Sequence, residues 1–359
     1  MCVPERMELI KGTGHLQALQ PGNLLKTALV AITQGGRKLA ARLAGRLDNA
    51  VVVNVDKPVA RVIQEAWHAY DGFVCVMAAG IVVRAIARLI EDKRADPCVV
   101  VVDEQGQFAV SLLGGHLGGG NALARQVAGI LGGQAVITTA SDILGLTALD
   151  LWARGQNLAV EDLPGLTRAS ARLVDRGVVR IYVDGLITVE YLPHDFLRVR
   201  DAREADLVVS NRLLGPWPGN ALILRPRNLV CGVGCNRGTP VEEINRAVAE
   251  ALSQHGLAET SVRGFASIDL KKDEQGLLEL GARLGLAIDF YTKDELNGVS
   301  GVSRSDAVFV ATGAVGVSEP AALLSAGVQK LLVRKMKWKN VTLAIAEAPF
   351  TLSAPDQEA

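Results

Sequence analysis

Short apolar runs alternate along the chain with amphipathic segments whose apolar residues recur at helical spacing. In the first third the apolar runs are ALVAIT (28–33), VVVNV (51–55) and FVCVM (73–77). Runs of this length and composition predict buried strands, and the segments between them predict helices, the second of which begins after Pro58. Because strands separated by helices form parallel sheets with right-handed crossovers, we expect Rossmann-like open parallel sheets in the N-terminal part.

Two later segments alternate differently and predict β-hairpins. CVVVVDEQGQFAVSLL (98–113) places the turn sequence DEQG between two apolar runs, which predicts a hairpin at the edge of the first sheet. VVRIYVDGLITVEYL (178–192) alternates apolar and polar residues around Asp184-Gly185, a favoured hairpin turn. With the helical segments around it, this second hairpin predicts a small α+β middle region.

The clearest break in the pattern is GPWPGN (215–220), which predicts a linker. A new α/β pattern follows it, in which Thr239, Pro240 and Glu242 fit the N-cap, N1 and N3 positions of a helix with a capping box. ASIDL, AIDFYT and AVFVATG predict further strands, with helices at 271–284 and 319–326. We therefore expect an N-terminal α/β domain at 26–139, the middle region at 140–214, a linker at 215–225 and a separate C-terminal α/β domain at 226–349.

The charge balance narrows the range of partners. The 359 residues include 38 Lys and Arg and 38 Asp and Glu, so the formal net charge is zero, and we expect neither a nucleic-acid nor a membrane partner. Five cysteines at irregular spacing do not make a disulfide framework, and residues 1–10 show no signal pattern, which together predict a cytoplasmic protein. Cys231 and Cys235 lack a second pair of zinc ligands, so no metal site is expected.

The loop LGGHLGGGN (113–121) is the first candidate for chemistry. Its glycines allow a ligand to approach the backbone, and amides at the start of the next helix favour anions, although a turn needed only for packing is the alternative. The loop contains neither the dinucleotide fingerprint nor the Lys-Ser/Thr of a P-loop, which argues against a nucleotide. His116 is a candidate general base or, alternatively, a loop histidine bonded to the backbone. The candidate substrate-binding glycines are Gly114, Gly115, Gly118, Gly119 and Gly120.

Other candidates lie at predicted strand ends and helix starts. Asn121 fits a helix N-cap or a ligand contact. A group just past a strand, where open α/β sheets bind ligands, comprises Thr138, Thr139, Ser141 and Asp142, of which Ser141 or Asp142 is alternatively a helix cap. GVGCNRG (232–238) contributes Gly232, Gly234 and Cys235 as an anion-binding or structural turn, and Glu319 fits dipole pairing or acid–base work. Lys335 belongs to KMKWKN (335–340), a solvated hairpin tip or a carboxylate receptor with Trp338 as a stacking face.

Together these motifs resemble the CbiG family of cobalt-precorrin-5A hydrolases. The resemblance rests on residues 80–128, on AVITTASD, on LVCGVGCNRGTP, and on ASIDLKKDEQGL and GVSEPAALLSAG with the closing VTLAIAEA, in the family's order. It covers most of residues 72–346. This chain departs from the family pattern at Gly115, where a serine is expected, and at Ser141, where a threonine is expected.

The resemblance implies a hydrolase of cobalamin biosynthesis that opens the ring-A δ-lactone of cobalt-precorrin-5A and releases a two-carbon fragment as acetaldehyde, giving cobalt-precorrin-5B. For this reaction we expect His116 as the base, with Asp142 orienting it or Glu319 delivering a proton, and backbone amides stabilising the oxyanion. The cobalt would arrive with the substrate, so no protein-bound cofactor is expected. Transient contact with neighbouring pathway enzymes is expected, and a non-catalytic carrier of corrinoid intermediates is the alternative function.

Overall fold

The computed structural model describes residues 25–92, 95–116, 118–185 and 187–354. Residues 25–151 form one compact unit and residues 152–354 form another. The residues in which no signal pattern was found, 1–10, lie outside the described ones. Among the helices of the described residues, none is both long and apolar enough to cross a membrane.

The first unit alternates strands and helices as expected. Its elements in chain order are β1 (Thr27–Ala31), α1 (Gln34–Ala44), β2 (Ala50–Val52), α2 (Val59–Ala66), β3 (Gly72–Val76), α3 (Ala79–Ile86), β4 (Cys98–Val102), β5 (Phe108–Leu113), α4 (Gly120–Leu131), β6 (Gln134–Val136), α5 (Ala140–Leu144) and the start of α6 (Leu149–Gly155). The sheet order is β2-β1-β3-β4-β5-β6, and every pair is parallel except β4–β5. Strands β1, β3 and β4 are buried along their whole length, as their apolar sequences require for strands covered on both faces.

The β4–β5 hairpin is confirmed, but its predicted place at the sheet edge is wrong. The Asp103 carboxylate accepts hydrogen bonds from the backbone amides of Gln105 and Phe108 and so closes the turn. Strand β6 then pairs in parallel with the outer side of β5. The loops that follow β5 and β6 therefore leave the same edge of the sheet.

The second unit contains two larger sheets. Its elements are β7 (Leu158–Val160), α7 (Leu163–Arg176), β8 (Val179–Val183), β9 (Ile187–Val189), β10 (Phe196–Arg198), β11 (Leu207–Val209), β12 (Leu222–Pro226), β13 (Leu229–Cys235), α8 (Val241–Gln254), β14 (Val262–Ile268), α9 (Gln275–Leu284), β15 (Ala287–Tyr291), α10 (Lys293–Asn297), α11 (Asp306–Thr312), α12 (Ser318–Ala326), β16 (Leu331–Lys337), β17 (Val341–Glu347) and β18 (Phe350–Leu352). The central sheet has the order β10-β8-β11-β12-β7 and the C-terminal sheet the order β15-β14-β13-β17-β16.

The hairpin predicted around Asp184-Gly185 is wrong. Strand β8 pairs in parallel with β10 on one side and β11 on the other, so both of its edges are occupied. Strand β9 pairs instead with β18, near the end of the described chain. The central sheet is consequently mainly parallel, with only β7 antiparallel, rather than built on a hairpin.

Three further local predictions differ from the C-terminal structure. AVFVATG (307–313) lies mostly in helix α11 rather than in a strand, and α11 has no buried residue: Val310 is 88% exposed. Helix α8 begins at Val241 after Pro240, and the Thr239 hydroxyl donates to the Asn236 carbonyl instead of capping the helix. The predicted linker 215–225 ends within β12, which pairs with β11 and β7.

Buried amide contacts join the central and C-terminal parts of the second unit. Asn211 and Asn228 both donate to the Glu347 carboxylate, at 2.9 and 3.0 Å. At the C-terminal end, Ser353 and Gln156 exchange two hydrogen bonds through backbone and side-chain amides. Glu347 and Ser353 flank β18 in the chain, so these contacts tie the last described residues to the central part.

Candidate active site

The glycine-rich loop between β5 and α4 is shaped by packing against its own chain. Gly114 has a φ of +67°, and a Cβ there would lie 2.9 Å from the Cα of Cys98 in β4. Gly119 has a φ of +79° and is the N-cap of α4. Gly114 therefore requires glycine both for its positive φ and for lack of space, and Gly119 requires it for its positive φ.

The backbone amides at the helix start are used within the loop. Gly119 donates to the carbonyl of His116, Gly120 to that of Gly114 and Asn121 to that of Gly115, each at 2.9 Å. Their hydrogens point at the loop's own oxygens rather than outward, which favours the packing interpretation for this part of the loop. A substrate-binding role for the loop glycines stays a prediction.

His116 and Asp142 are brought together by the sheet. His116 follows β5 and Asp142 lies in α5, which follows β6; because β5 and β6 are parallel neighbours, both loops leave the carboxyl edge where open α/β sheets bind ligands. The Nε2 atom of His116 lies 2.7 Å from Oδ2 of Asp142, and the Ser141 hydroxyl lies 3.3 Å from the same nitrogen. The side chain of His116 is 19% exposed, so the imidazole remains within reach of a ligand.

Two residues of α4 hold the Asp142 carboxylate in place. Arg125 donates to Oδ1 at 2.7 Å, and the amide nitrogen of Asn121 donates to Oδ2 at 2.9 Å. Burial raises the pKa of Asp142, but the hydrogen bonds from Arg125 and His116 outweigh it, and the pKa lies below its usual value. An ionised carboxylate only accepts hydrogen bonds, so Nε2 of His116 carries a proton and, in the neutral ring, Nδ1 carries the lone pair.

Asn121 is a member of this cluster rather than the helix N-cap. Its amide nitrogen also lies 3.2 Å from the Thr139 hydroxyl, while its Oδ1 is buried with no hydrogen-bond partner among the described residues. A Cβ at Gly115 would lie 2.8 Å from that oxygen. The absence of a side chain at position 115 therefore leaves the room in which the Asn121 amide faces Asp142. Neither Ser141 nor Asp142 caps α5, whose N-cap is Thr139.

Two residues of the cluster, Arg125 and Asp150, were missed by the sequence analysis. Arg125 follows Asn121 by four residues, so their shared helix face was a usable signal. Asp150 lies in the first turn of α6, and its Oδ1 is 3.7 Å from Nδ1 of His116. No local pattern marks Asp150, because only the fold brings it to the histidine.

The glycines of GVGCNRG serve packing in the second unit. Gly232 and Gly234 lie within β13, not in a turn, and a Cβ at Gly232 would lie 1.9 Å from the carbonyl oxygen of Ser318 in α12. A Cβ at Gly234 would lie 2.6 Å from the Thr342 hydroxyl. Burial raises the pKa of the Cys235 thiol to about 11, so this cysteine is a poor nucleophile at neutral pH.

Glu319 and Lys335 are linked to each other. The Glu319 carboxylate is 2% exposed and accepts from the backbone amides of Lys335 and Ser303. Burial raises its pKa, but these amide hydrogen bonds outweigh burial, and the net pKa is lowered, which suits an anchoring anion better than a general acid. Proton delivery by Glu319 stays a prediction, as does substrate contact by Lys335 and by Thr138, which is exposed.

The predicted hairpin at KMKWKN is present between β16 and β17. The indole of Trp338 packs against the core of the C-terminal sheet, and its N–H donates to the Glu250 carboxylate at 2.7 Å. These two contacts account for the position of the indole ring, so its position gives no reason to assign Trp338 a stacking role.

The fold and this cluster define a class: an α/β protein with a histidine hydrogen-bonded to a carboxylate at the carboxyl edge of a mainly parallel sheet. Three family models match the chain, described as cobalamin synthesis G N-terminal (residues 61–142), cobalamin biosynthesis central region (147–226) and cobalamin synthesis G C-terminus (229–346). Together they match most of the chain, which therefore belongs to the CbiG family.

The chain is similar to two proteins named as cobalt-precorrin-5A hydrolases and to one solved structure. A cobalt-precorrin-5A hydrolase of Priestia megaterium is 34% identical over 355 residues, covering 90% of this chain and 95% of the relative. A cobalt-precorrin-5A hydrolase of Salmonella typhimurium is 34% identical over 343 residues, covering 89% and 97%. A crystal structure of a cobalamin biosynthesis protein G homologue from Sulfolobus solfataricus is 21% identical, covers 90% of this chain and 98% of its own, and has a TM-score of 0.35.

Proposed function

We propose that this protein hydrolyses cobalt-precorrin-5A, opening its ring-A δ-lactone and releasing the two-carbon fragment as acetaldehyde, with cobalt-precorrin-5B as the other product. The names of the two full-length relatives support an enzyme of cobalamin biosynthesis over a carrier. The observation that carries the mechanism is the 2.7 Å contact between Nε2 of His116 and the ionised Asp142. This contact leaves Nδ1 as the basic nitrogen.

Lactone opening uses His116 as the base. Nδ1 removes a proton from water while the water oxygen attacks the lactone carbonyl carbon, and Asp142 stabilises the imidazolium that forms. The bond from the carbonyl carbon to the ring oxygen of the lactone then breaks, and Nδ1 returns the proton to the departing alkoxide. The second proton of the water passes from the new carboxylic acid to solvent, so the products of this stage are a carboxylate side chain and a secondary alcohol.

Release of the fragment uses the same nitrogen in a second cycle. The base removes the proton of the new alcohol, the bond between the alcohol carbon and the macrocycle breaks, and acetaldehyde leaves. The electron pair of that bond stays on the macrocycle carbon, which takes the proton back from the imidazolium. Both stages therefore need only water and one acid–base group.

The proposal needs no cofactor bound by the protein, because the cobalt belongs to the substrate and neither stage transfers electrons. The proposed function also includes a cytoplasmic location and a corrinoid ligand. Transient contact with neighbouring pathway enzymes stays part of the proposal.

The test is acetaldehyde release from cobalt-precorrin-5A, with the aldehyde trapped as a hydrazone. We expect His116→Ala to lower the rate by roughly 100-fold or more, the usual contribution of one acid–base group. His68→Ala is the matched control, since His68 is an exposed histidine of the same unit. A His116→Ala enzyme that releases acetaldehyde at the rate of the control would refute the mechanism, and a wild-type protein that binds the corrinoid without releasing aldehyde would refute the function.

A further inference from the structure

The His116 cluster contains a second carboxylate, that of Asp150. Oδ1 of Asp150 lies 3.7 Å from Nδ1 of His116, on the side of the imidazole ring opposite to Asp142. Both side chains are 19% exposed, so the space beside them can admit solvent and a ligand. The distance is too long for a direct hydrogen bond, yet two polar atoms this far apart can share one water at about 2.8 Å from each.

The two carboxylates differ in how fully their oxygens are occupied. Oδ1 of Asp142 accepts from Arg125, and its Oδ2 accepts from His116 and Asn121. Asp142 is therefore committed to holding the ring. Oδ1 of Asp150 accepts from the backbone amide of Leu151 at 2.9 Å, and a carboxylate oxygen has room for a second donor.

We propose that Asp150 is a further catalytic residue, which holds the attacking water together with Nδ1 of His116. This inference rests on the hydrolytic function proposed above and assigns the place from which the water attacks. One O–H of the water donates to Nδ1 and the other to Oδ1 of Asp150, which directs the remaining lone pairs of the oxygen toward the lactone carbonyl carbon.

The step balances with no further reactant. As the bond between water oxygen and carbonyl carbon forms, the first proton moves to Nδ1, and the second stays on the new carboxylic acid oxygen and is released to solvent. The Nδ1 proton then goes to the departing ring oxygen as its bond to the carbonyl carbon breaks. Asp150 is regenerated unchanged, and its charge faces the imidazolium during the interval in which that cation exists.

The experiment compares Asp150→Asn, Asp150→Glu and the exposed control Asp56→Asn in steady-state turnover of cobalt-precorrin-5A. We expect Asp150→Asn to lower kcat on the order of 100-fold while KM changes by no more than about threefold, because the neutral amide is a weaker acceptor for the water and has no charge to face the imidazolium, while no substrate contact is removed. Asp150→Glu keeps the charge and should retain more of kcat than Asp150→Asn does. Asp56→Asn should match the wild type.

The outcomes separate this inference from the function on which it depends. If the wild type releases no acetaldehyde, the function fails; if the wild type is active and Asp150→Asn has the kcat of Asp56→Asn, only the role of Asp150 fails. A loss confined to KM also overturns the role, since it would make Asp150 a binding residue. Far-UV circular dichroism checks folding, and if Asp150→Asn does not fold, Asp150→Ala takes its place under the same criterion, so that a kcat equal to that of Asp56→Asn overturns the role.

Discussion

Replacing Gly232 by alanine tests whether the glycines of β13 serve helix packing. The added Cβ would lie 1.9 Å from the Ser318 carbonyl oxygen and 2.8 Å from the Ala322 amide nitrogen, both of them backbone atoms of α12. Ordinary contacts begin near 3.4 Å, so the helix must move away from the sheet by more than an ångström. Overpacking of a well-filled core costs 1–3 kcal/mol, and we place this case at about 3 kcal/mol because no side chain can rotate out of the way.

For a unit of this size, a loss of about 3 kcal/mol lowers Tm by roughly 6 to 12 °C. The assay is thermal unfolding followed by tryptophan fluorescence, with Gly219→Ala as the matched control, because a Cβ at Gly219 meets nothing within 4 Å. We expect the control to melt within about 1 °C of the wild type. Equal melting temperatures for Gly232→Ala and Gly219→Ala would refute the packing argument and return Gly232 to the candidates for ligand contact.

Three further predictions concern the His116 cluster. Arg125→Gln removes the charged donor to Asp142 and should lower kcat about tenfold, with little change in Tm because Arg125 is half exposed. Gly115→Ala places a Cβ 2.8 Å from the Asn121 oxygen, so it should turn that amide away from Asp142 and lower kcat; wild-type turnover would contradict this. Because the folded-state pKa of Asp142 is lowered, its charge stabilises the fold above about pH 4, and this contribution is lost as the pH falls through the folded pKa. The Tm of Asp142→Asn should therefore fall less than that of the wild type between pH 5 and pH 3.

The alternation of strands and helices could be predicted because burial itself is encoded in the apolar runs. Strands β1, β3 and β4 are fully buried, and each coincides with an apolar run. The pairing of the strands could not be predicted in the same way, because the partner of a strand depends on which strands elsewhere in the chain reach its edges. The Asp184-Gly185 segment has the local sequence of a hairpin, yet β10 and β11 occupy the edges of β8.

In the candidate site too, local sequence motifs identified residues, whereas the contacts between them depend on strands that are distant in the chain. Gly-rich and polar residues past strand ends identified His116 and Asp142 as candidates, and the structure places them in contact. Their contact depends on β6 pairing with β5, which the sequence pattern did not reveal. Asp150 lies 34 positions beyond His116 on a short helix, and nothing in its neighbours distinguishes it from a solvated helix start. The family expected from the motifs is confirmed by the three matching family models.

The pairing of β9 with β18 has a consequence for how the chain is made. Strand β9 leaves the ribosome about 160 residues before its partner β18 does, since the two strands span 187–189 and 350–352. At a synthesis rate of about 5–20 residues per second, β18 is made roughly 10 to 30 seconds after β9. During that interval the open edge of β9 is available to chaperones or to unwanted neighbours, so loss of the last few residues should show first as aggregation of newly synthesised chains rather than as a slower enzyme.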